Sequence, residues 1–263
     1  MSSGNRCKAP AVPGQMGRIH NYLLKATLCA GVIATATGCS RQHEAGPFEA
    51  TGEVIAQGGG DAGVEGACVV CHGLQGQGDG ETVPRLAAMD RGYFLQQMEN
   101  YDNGARNHAQ MSWIASRLDN QARVRLADYY ATLPPTPPVE VSGVLPPACP
   151  PSFAATLYQQ GDPARGLAAC ATCHGERGEG VGTGNPPLAG QPVPYLEQQL
   201  RLWRTGKRYG DAMHAMTAVS RLLAEDELEP LADYSAALPG ATSYPALPAT
   251  CPPARRPYPR SGA

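Results

Sequence analysis

Two copies of one short motif contain the residue types that could do chemistry in this chain. Residues 68–72 and 170–174 both have the spacing Cys-x-x-Cys-His. One helical turn with this spacing places two thiols and an imidazole around the same edge of a porphyrin. The thiols can form thioether bonds to haem and the imidazole can ligate its iron, so the pattern is the attachment signal of a c-type haem. We therefore predict two covalently bound haem c groups per chain.

Each motif assigns its residues to two roles. The predicted iron ligands are His72 and His174, and the predicted attachment residues are Cys68, Cys71, Cys170 and Cys173. A zinc site, a redox-active dithiol and chance are the competing interpretations of Cys-x-x-Cys. Two copies in register inside a duplication, behind an export signal, favour haem, because haem c is attached outside the bacterial cytoplasm.

The motifs lie in a tandem duplication that repeats the residues around them. Residues 84–87 recur at 186–189, at an offset of 102 residues. The later stretch 126–129 recurs at 231–234, at an offset of 105, which implies a three-residue insertion in the second copy. A repeat of roughly 100 residues has the length of a domain, so we expect two related domains.

The segments that must position the motifs have the sequence pattern of helices. Apolar periodicity within each copy predicts helices and little strand, hence an all-α fold. The predicted helices include 91–102, 119–132, 193–204 and 224–237. Proline fixes φ and lacks an N–H donor, so the Pro-rich stretches predict extended segments outside the domains. The expected boundaries are 49–134 for the first domain, 135–151 for a Pro-rich linker, 152–239 for the second domain and 240–263 for a Pro-rich tail.

The N-terminal segment has the pattern of a processed export signal. Residues 26–38 form a run of 13 apolar and small residues, which suits a secretory signal and is too short to span a bilayer. The run ends in Ala36-Thr37-Gly38-Cys39, which resembles the lipobox of bacterial lipoproteins, with Ala36 where that motif usually has Leu. We expect removal of residues 1–38, lipidation of Cys39 and a membrane tether over 39–48. The alternative is an ordinary secretory signal that is cleaved near the same place.

Removal of this segment makes the protein more acidic. The full sequence has 21 basic and 23 acidic residues, a net charge of −2. Residues 1–38 contain four bases and no acid, so the exported form has 17 bases against 23 acids, a net charge of −6. This balance argues against a nucleic-acid partner and can steer a basic protein partner. We expect a periplasmic protein, anchored to a bacterial membrane by lipid.

The two copies resemble class I cytochrome c domains, and the tandem resembles the dihaem cytochrome c4 family. The resemblance covers roughly residues 50–134 and 152–239. It is carried by the two Cys-x-x-Cys-His-Gly motifs, the Pro-x-Leu-Ala stretches, Tyr195 with residues 198–200, and the repeated Leu-Ala-Asp-Tyr. The first copy differs from the second at residues 87–89, which are Ala-Ala-Met where the second copy has Ala-Gly-Gln. The resemblance implies two small helical domains, each around one covalent haem.

The resemblance also implies that a methionine from the distal loop is the sixth ligand of each iron. In the first domain Met111 precedes a stretch like the one that follows the family's ligand. Met98 lies on an apolar helix face and is interpreted as core, and Met89 lies too near the proline loop. Pro84 and Pro186 resemble the family proline whose carbonyl accepts a hydrogen bond from the ring of the ligating histidine, which fixes its tautomer.

In the second domain two methionines compete for the sixth position. Met216 keeps register with the following helix if the insertion lies in residues 209–211, and we favour it. Met213 is the alternative at the earlier offset. His108 and His214 are possible bis-His ligands, but we interpret them as polar loop residues.

Two further pairs remain after the haem sites are assigned. Cys149 and Cys251 are both followed by Pro-Pro and are again 102 residues apart. In an oxidising compartment an even remainder predicts a disulfide, and two free or intermolecular thiols are the alternative. Arg106 and Arg208 either pair with haem propionates or are solvated loop residues.

Three functions fit two haems of this kind. The first, which we favour, is an electron carrier without a substrate of its own. The second is a dihaem enzyme of the peroxidase or thiosulfate-oxidising type, which needs an open iron position that a methionine ligand would close. The third is the electron-transfer subunit of a larger dehydrogenase or oxidase complex. The expected partners are redox proteins such as a terminal oxidase, a quinol-oxidising complex or a dehydrogenase.

Overall fold

The computed structural model describes residues 50–135 and 152–240, which belong to one compact unit. The first repeat contains α1 Gly52–Gly58, α2 Val69–His72, α3 Arg91–Asp102, α4 Ala109–Ala115 and α5 Asn120–Thr132. The second contains α6 Ser152–Gln160, α7 Ala171–His174, α8 Val193–Arg204, α9 Ala215–Leu222 and α10 Glu225–Ala236. Within these ranges there is no β-strand, and the all-α prediction is confirmed.

Polar side chains define where the helices of the first repeat begin. The Thr51 hydroxyl accepts a hydrogen bond from the Val54 N–H at the start of α1. Asp90 and Asp119 accept from N–H groups in the first turns of α3 and α5. These N–H groups have no partner inside their own helix, and each cap is worth about 1 kcal/mol.

The helices pack around one apolar cluster in the first repeat and two in the second. In the first repeat α5 lies against α1 and α3, and α4 lies against α3. In the second, α10 lies against α6 and α8, and α9 lies against α8. The Phe94 and Tyr130 rings stack in the first core with centroids 5.8 Å apart, and Met98 is buried there as predicted.

Two short helices were not among those predicted. α4 and α9, of seven and eight residues, contain the candidate ligands Met111 and Met216 in their first turns. No helix within the described ranges is both long and apolar enough to cross a membrane. The predicted signal and tether, and all but the first residue of the predicted linker and of the predicted tail, lie outside the described residues, as do Cys39, Cys149 and Cys251.

The two repeats pack directly against each other. The Gly184 N–H donates to the Asp90 carboxylate at 2.8 Å, and the Tyr209 N–H donates to the Ala105 carbonyl at 2.9 Å. The Gly210 carbonyl accepts from the Gln96 side chain at 3.1 Å. Residues 209–211, where the sequence places the insertion, therefore form part of the contact between the domains.

Candidate haem-binding sites

Each attachment motif forms one turn of helix, and a glycine with a positive φ directly follows the histidine. The His72 N–H donates to the Cys68 carbonyl at 2.9 Å, so both thiols and the imidazole belong to one turn. Gly73 then has φ 79°, and Gly175 has φ 81° in the second copy. A Cβ at Gly73 would lie 2.4 Å from the end of the flexible Gln77 side chain, which can move, so the positive φ is the reason for glycine at this position.

The four motif cysteines are unpaired with one another within the described residues. Burial raises the pKa of the Cys170 thiol to about 11 and also raises the pKa of Cys68. Cys173 is exposed, and the Gln110 side chain approaches the Cys71 sulfur at 3.9 Å.

Both motif histidines are buried and held by the predicted proline carbonyls. His72 Nδ1 lies 2.8 Å from the Pro84 carbonyl oxygen, and His174 Nδ1 lies 2.9 Å from that of Pro186. Because a carbonyl only accepts, Nδ1 must carry the proton and Nε2 keeps its lone pair. Burial lowers the pKa of both imidazoles, which favours the neutral form that a metal requires.

A cavity of about 320 Å³ opens beside the second motif. His174, Cys170, Cys173 and Met216 line it together. Its apolar wall consists of Leu188, Leu196, Leu200, Val219, Leu223 and Leu231. Apolar walls suit the faces of a porphyrin, and the thiols and imidazole converge on the space that it would fill.

An unpaired donor adds to the fit between this cavity and haem. Arg208 lines the cavity, and its Nε is buried without a hydrogen-bond partner. A buried donor of this kind suits a carboxylate such as a haem propionate. The chemistry of the cavity therefore fits haem c at its thiol edge, its faces and its acidic end.

The structure separates the two candidate methionines of the second domain. Met216 is half-buried and lines the cavity, whereas Met213 is 93 % exposed in a left-handed turn at φ 55°. The Asp211 carboxylate accepts the Met216 N–H at 2.7 Å and the Thr217 N–H at 3.2 Å. Met216, and not Met213, is thus brought together with His174.

In the first domain Met111 lies in the first turn of α4. It is half-buried and packs against the first apolar core. Its N–H donates to the ring nitrogen of His108 at 3.3 Å, and that ring is exposed. His214 is exposed in the second domain, at the end of a 3-10 helix that directly precedes α9.

A symmetric network between the domains was missed by sequence reasoning. Arg106 donates to Gln97 at 2.9 Å, and across the interface to Tyr195 and Gln199 at 2.9 Å each. Arg208 repeats the pattern with Gln199, Tyr93 and Gln97 at 2.7, 2.8 and 2.8 Å. Both arginines are buried, at 6 % and 3 % exposure, so the solvated-loop interpretation is wrong. The recurrence of all six residues at one offset was the available signal.

A second interdomain contact explains a difference between the copies. Gln191 accepts the Arg85 N–H and donates to the Arg85 carbonyl, both at 3.0 Å. The counterpart of Arg85 is Pro187, which has no N–H to donate. A glutamine at position 89 would lack that donor, and the apolar Met89 lies there instead, lining the cavity of the second domain.

Comparisons with known proteins agree with this geometry. The family model described as cytochrome c matches residues 155–236. A thiosulfate dehydrogenase electron acceptor from Stutzerimonas stutzeri is 35 % identical over 65 % of this chain and 78 % of its own length. A cytochrome c4 from Thiocapsa roseopersicina is 32 % identical over 66 % of this chain and 88 % of its own.

Solved structures give the same result. The reduced cytochrome c4 from Pseudomonas stutzeri superposes with a TM-score of 0.60 at 27 % identity, covering 69 % of this chain and 96 % of that one. Thiosulfate dehydrogenase (TsdBA) from Marichromatium purpuratum superposes with a TM-score of 0.61 at 39 % identity over 72 % of this chain. The match covers 40 % of the length of that dehydrogenase chain.

Proposed function

Because the chain belongs to the cytochrome c4 family, we propose that this dihaem electron-transfer cytochrome accepts electrons from a thiosulfate-oxidising dehydrogenase. The chain is an electron carrier with covalently bound haem c, and the finer proposal concerns its donor. It is supported by similarity to a thiosulfate dehydrogenase electron acceptor and to part of a thiosulfate dehydrogenase chain. A terminal oxidase is the partner class proposed as the electron acceptor, and a quinol-oxidising complex is the alternative donor.

The observation that carries the carrier function is the pairing of His174 with Met216 in one apolar cavity. His174 and Met216 would both hold the iron of a bound haem and would leave it no open position for a substrate. The haem supplies a one-electron ferric–ferrous couple, and a thioether ligand raises its potential by favouring ferrous iron. The apolar walls exclude water, and the proline carbonyl holds the imidazole in one tautomer.

The proposed ligand sets follow the duplication. The first haem is attached to Cys68 and Cys71, with His72 and Met111 on its iron. The second is attached to Cys170 and Cys173, with His174 and Met216 on its iron. Pro84 and Pro186 orient the two imidazoles through the hydrogen bonds at 2.8 and 2.9 Å.

Three measurements test this function. The denatured protein should retain both haems, which mass spectrometry detects as two added haem masses. The oxidised protein should show the sulfur-to-iron absorption band of methionine ligation. In a stopped-flow experiment, thiosulfate and the thiosulfate dehydrogenase of Stutzerimonas stutzeri should reduce both haems. High-spin ferric haem would favour an enzyme, and a protein that the dehydrogenase leaves oxidised would contradict the proposed donor.

We also propose the domain boundaries at 49–134 and 152–239, with a periplasmic location reached by the signal at 1–38. Lipidation of Cys39 would anchor the protein stably if two or more acyl chains are attached, since one chain binds marginally. Cys39→Ser should therefore release the protein from the membrane fraction. A wild type that is already fully soluble after export would contradict the lipid anchor.

A larger assembly is the second candidate function. The chain matches 40 % of a thiosulfate dehydrogenase chain, which favours a subunit role in which this chain stays bound to its donor. Co-purification with the dehydrogenase at low concentration would separate this function from that of a diffusing carrier.

A further inference from the structure

We propose that the exposed rim of the first haem site is the docking surface for a redox protein with a basic face. This proposal deepens the proposed electron-carrier function and rests on it. The rim consists of three aliphatic residues around the attachment motif. Val64, Val70 and Leu74 are 77, 75 and 70 % exposed. Aliphatic side chains with this exposure gain free energy when a partner covers them.

The backbone brings these residues to the edge where haem is attached. Successive turns connect Val64 to Val70, with the Ala67 N–H on the Val64 carbonyl and the Val70 N–H on the Ala67 carbonyl, both at 3.2 Å. Val70 lies between the two attachment cysteines, and Leu74 lies two residues after His72. A partner that contacts this rim therefore contacts the part of the chain closest to the thioether edge of the haem.

The chain segment that contains the rim has charges of one sign. Residues 50–84 contain five carboxylates and no lysine or arginine. All five are exposed, and none forms an ion pair with another described residue. The five are Glu53, Asp61, Glu65, Asp79 and Glu81. Unpaired surface charges of one sign attract a partner of the opposite sign and raise its rate of association.

The second haem site lacks this combination. Thr172 and Glu176 occupy the positions of Val70 and Leu74. Residues 152–186 contain three acids and two bases, and Arg165 pairs with Asp162 at 2.7 Å and with Glu227 at 3.0 Å. The two domains are duplicates, so this difference assigns the acidic, apolar rim to the first domain.

The chemistry of the rim defines its partner. An interface of this kind has an apolar centre with charges around it, so the partner should present an apolar patch surrounded by lysine or arginine. The proposed dehydrogenase is the partner that we test. One electron at a time would leave the dehydrogenase and reduce ferric iron in the first domain, with no other bond made or broken.

The experiment measures reduction of the oxidised, full-length holoprotein by the Stutzerimonas stutzeri thiosulfate dehydrogenase and thiosulfate. Second-order rates are measured by stopped flow at several salt concentrations. Glu65→Gln with Glu81→Gln should lower the rate by roughly tenfold at low salt and flatten its salt dependence. Val70→Thr with Leu74→Asn should lower the rate at every salt concentration, because lost apolar contact is not screened.

Matched controls lie in the second domain. Glu176→Gln with Glu179→Gln removes two charges beside the second motif, and Val181→Thr changes an aliphatic residue there that is 48 % exposed. These variants should be reduced at the wild-type rate. All variants should keep the wild-type spectrum, which shows that both haem sites are intact.

The outcomes separate this proposal from the proposed function. A wild type that is not reduced at any salt concentration overturns both. If the wild type and the first-domain variants are reduced at the same rate, only the docking surface is overturned. The same holds if the second-domain variants lose as much of the reduction rate as the first-domain variants do. The basic residues of the tail are the competing occupant: if changing Arg255, Arg256 and Arg260 to Ser accelerates reduction, the rim binds this chain's own tail and the proposal is wrong.

Discussion

Arg106 and Arg208 face each other across the domain interface and share the same two glutamine acceptors. Each guanidinium donates to the side-chain oxygens of both Gln97 and Gln199, at 2.7–2.9 Å. Their backbones also meet in an isolated antiparallel bridge. Two like charges are thus buried together, and their terminal N–H groups donate to neutral oxygens, while the Arg208 Nε donor has no hydrogen-bond partner. The arrangement ties the relative position of the domains to a small set of hydrogen bonds.

Shared acceptors predict that the two arginines are energetically coupled. Arg106→Met or Arg208→Met alone leaves each glutamine oxygen with one donor, whereas the double variant leaves both buried oxygens without either guanidinium. We expect a coupling free energy of about 1–3 kcal/mol in a double-mutant cycle, measured by unfolding of the holoprotein. Arg106 with Arg117 is the control pair, because Arg117 lies over the Trp113 ring and shares none of these acceptors. Additive effects within about 0.3 kcal/mol for the first pair would contradict the prediction.

The methionine assignments predict a domain-specific loss of ligation. Met216→Ala should abolish the sulfur-to-iron band of the second haem and lower its potential, because a thioether favours ferrous iron. Met111→Ala should do the same for the first haem. Met213→Ala is the control and should leave the spectrum unchanged, since that side chain is 93 % exposed. An unchanged spectrum in Met216→Ala would transfer the role to Met213.

Asp211 should hold in place the start of α9, where Met216 lies. Its carboxylate accepts two N–H groups at the start of α9, and such a cap contributes about 1 kcal/mol. Asp211→Ala should therefore lower the free energy of unfolding by roughly that amount. Met216 should also dissociate from the iron at a lower temperature, which is measured by monitoring the sulfur-to-iron band during heating. Asp211→Asn keeps an acceptor and should restore most of the band's thermal stability. Equal loss in both variants would show that charge, and not capping, matters at this position.

Ala88 should be a point of backbone strain that its counterpart avoids. Ala88 has φ 57°, and the equivalent Gly190 has φ 72°. The left-handed region costs a residue with a Cβ about 1 kcal/mol relative to glycine. Ala88→Gly should therefore raise the free energy of unfolding by up to about 1 kcal/mol, and Gly190→Ala should lower it by a similar amount. Denaturant unfolding of both holoproteins checks the pair, and a destabilised Ala88→Gly would refute the strain.

The proposed bridge between Cys149 and Cys251 predicts a stability effect without a spectral one. It would close a loop near the length of the second domain, which could stabilise by about 4–5 kcal/mol in the chain-entropy model. Cys251→Ser should lower the thermal midpoint and leave both haem spectra normal. Thiol labelling of the unreduced, denatured wild type should find no free cysteine. Labels at both positions would rule the bridge out.

Local patterns in the sequence were sufficient for the helices and for much of each site. The predicted helices 91–102 and 193–204 coincide with α3 and α8, and the other two differ by one residue at their ends. The contacts of His72 and His174 with the two prolines were predicted from the resemblance to the class I cytochrome c family. The helices depend on spacing within about a dozen residues, where helical periodicity limits the possibilities.

Tertiary structure decided everything that depends on distances between the two copies. Sequence register left Met213 and Met216 in competition, and the fold placed one in the cavity and the other in solvent. It also buried Arg106 and Arg208, and it joined Gln191 to Arg85 over 106 residues of chain. Such contacts come from the packing of two whole domains, whose geometry no local pattern encodes. The duplication identified the residues that correspond, and only the packed interface showed that they touch.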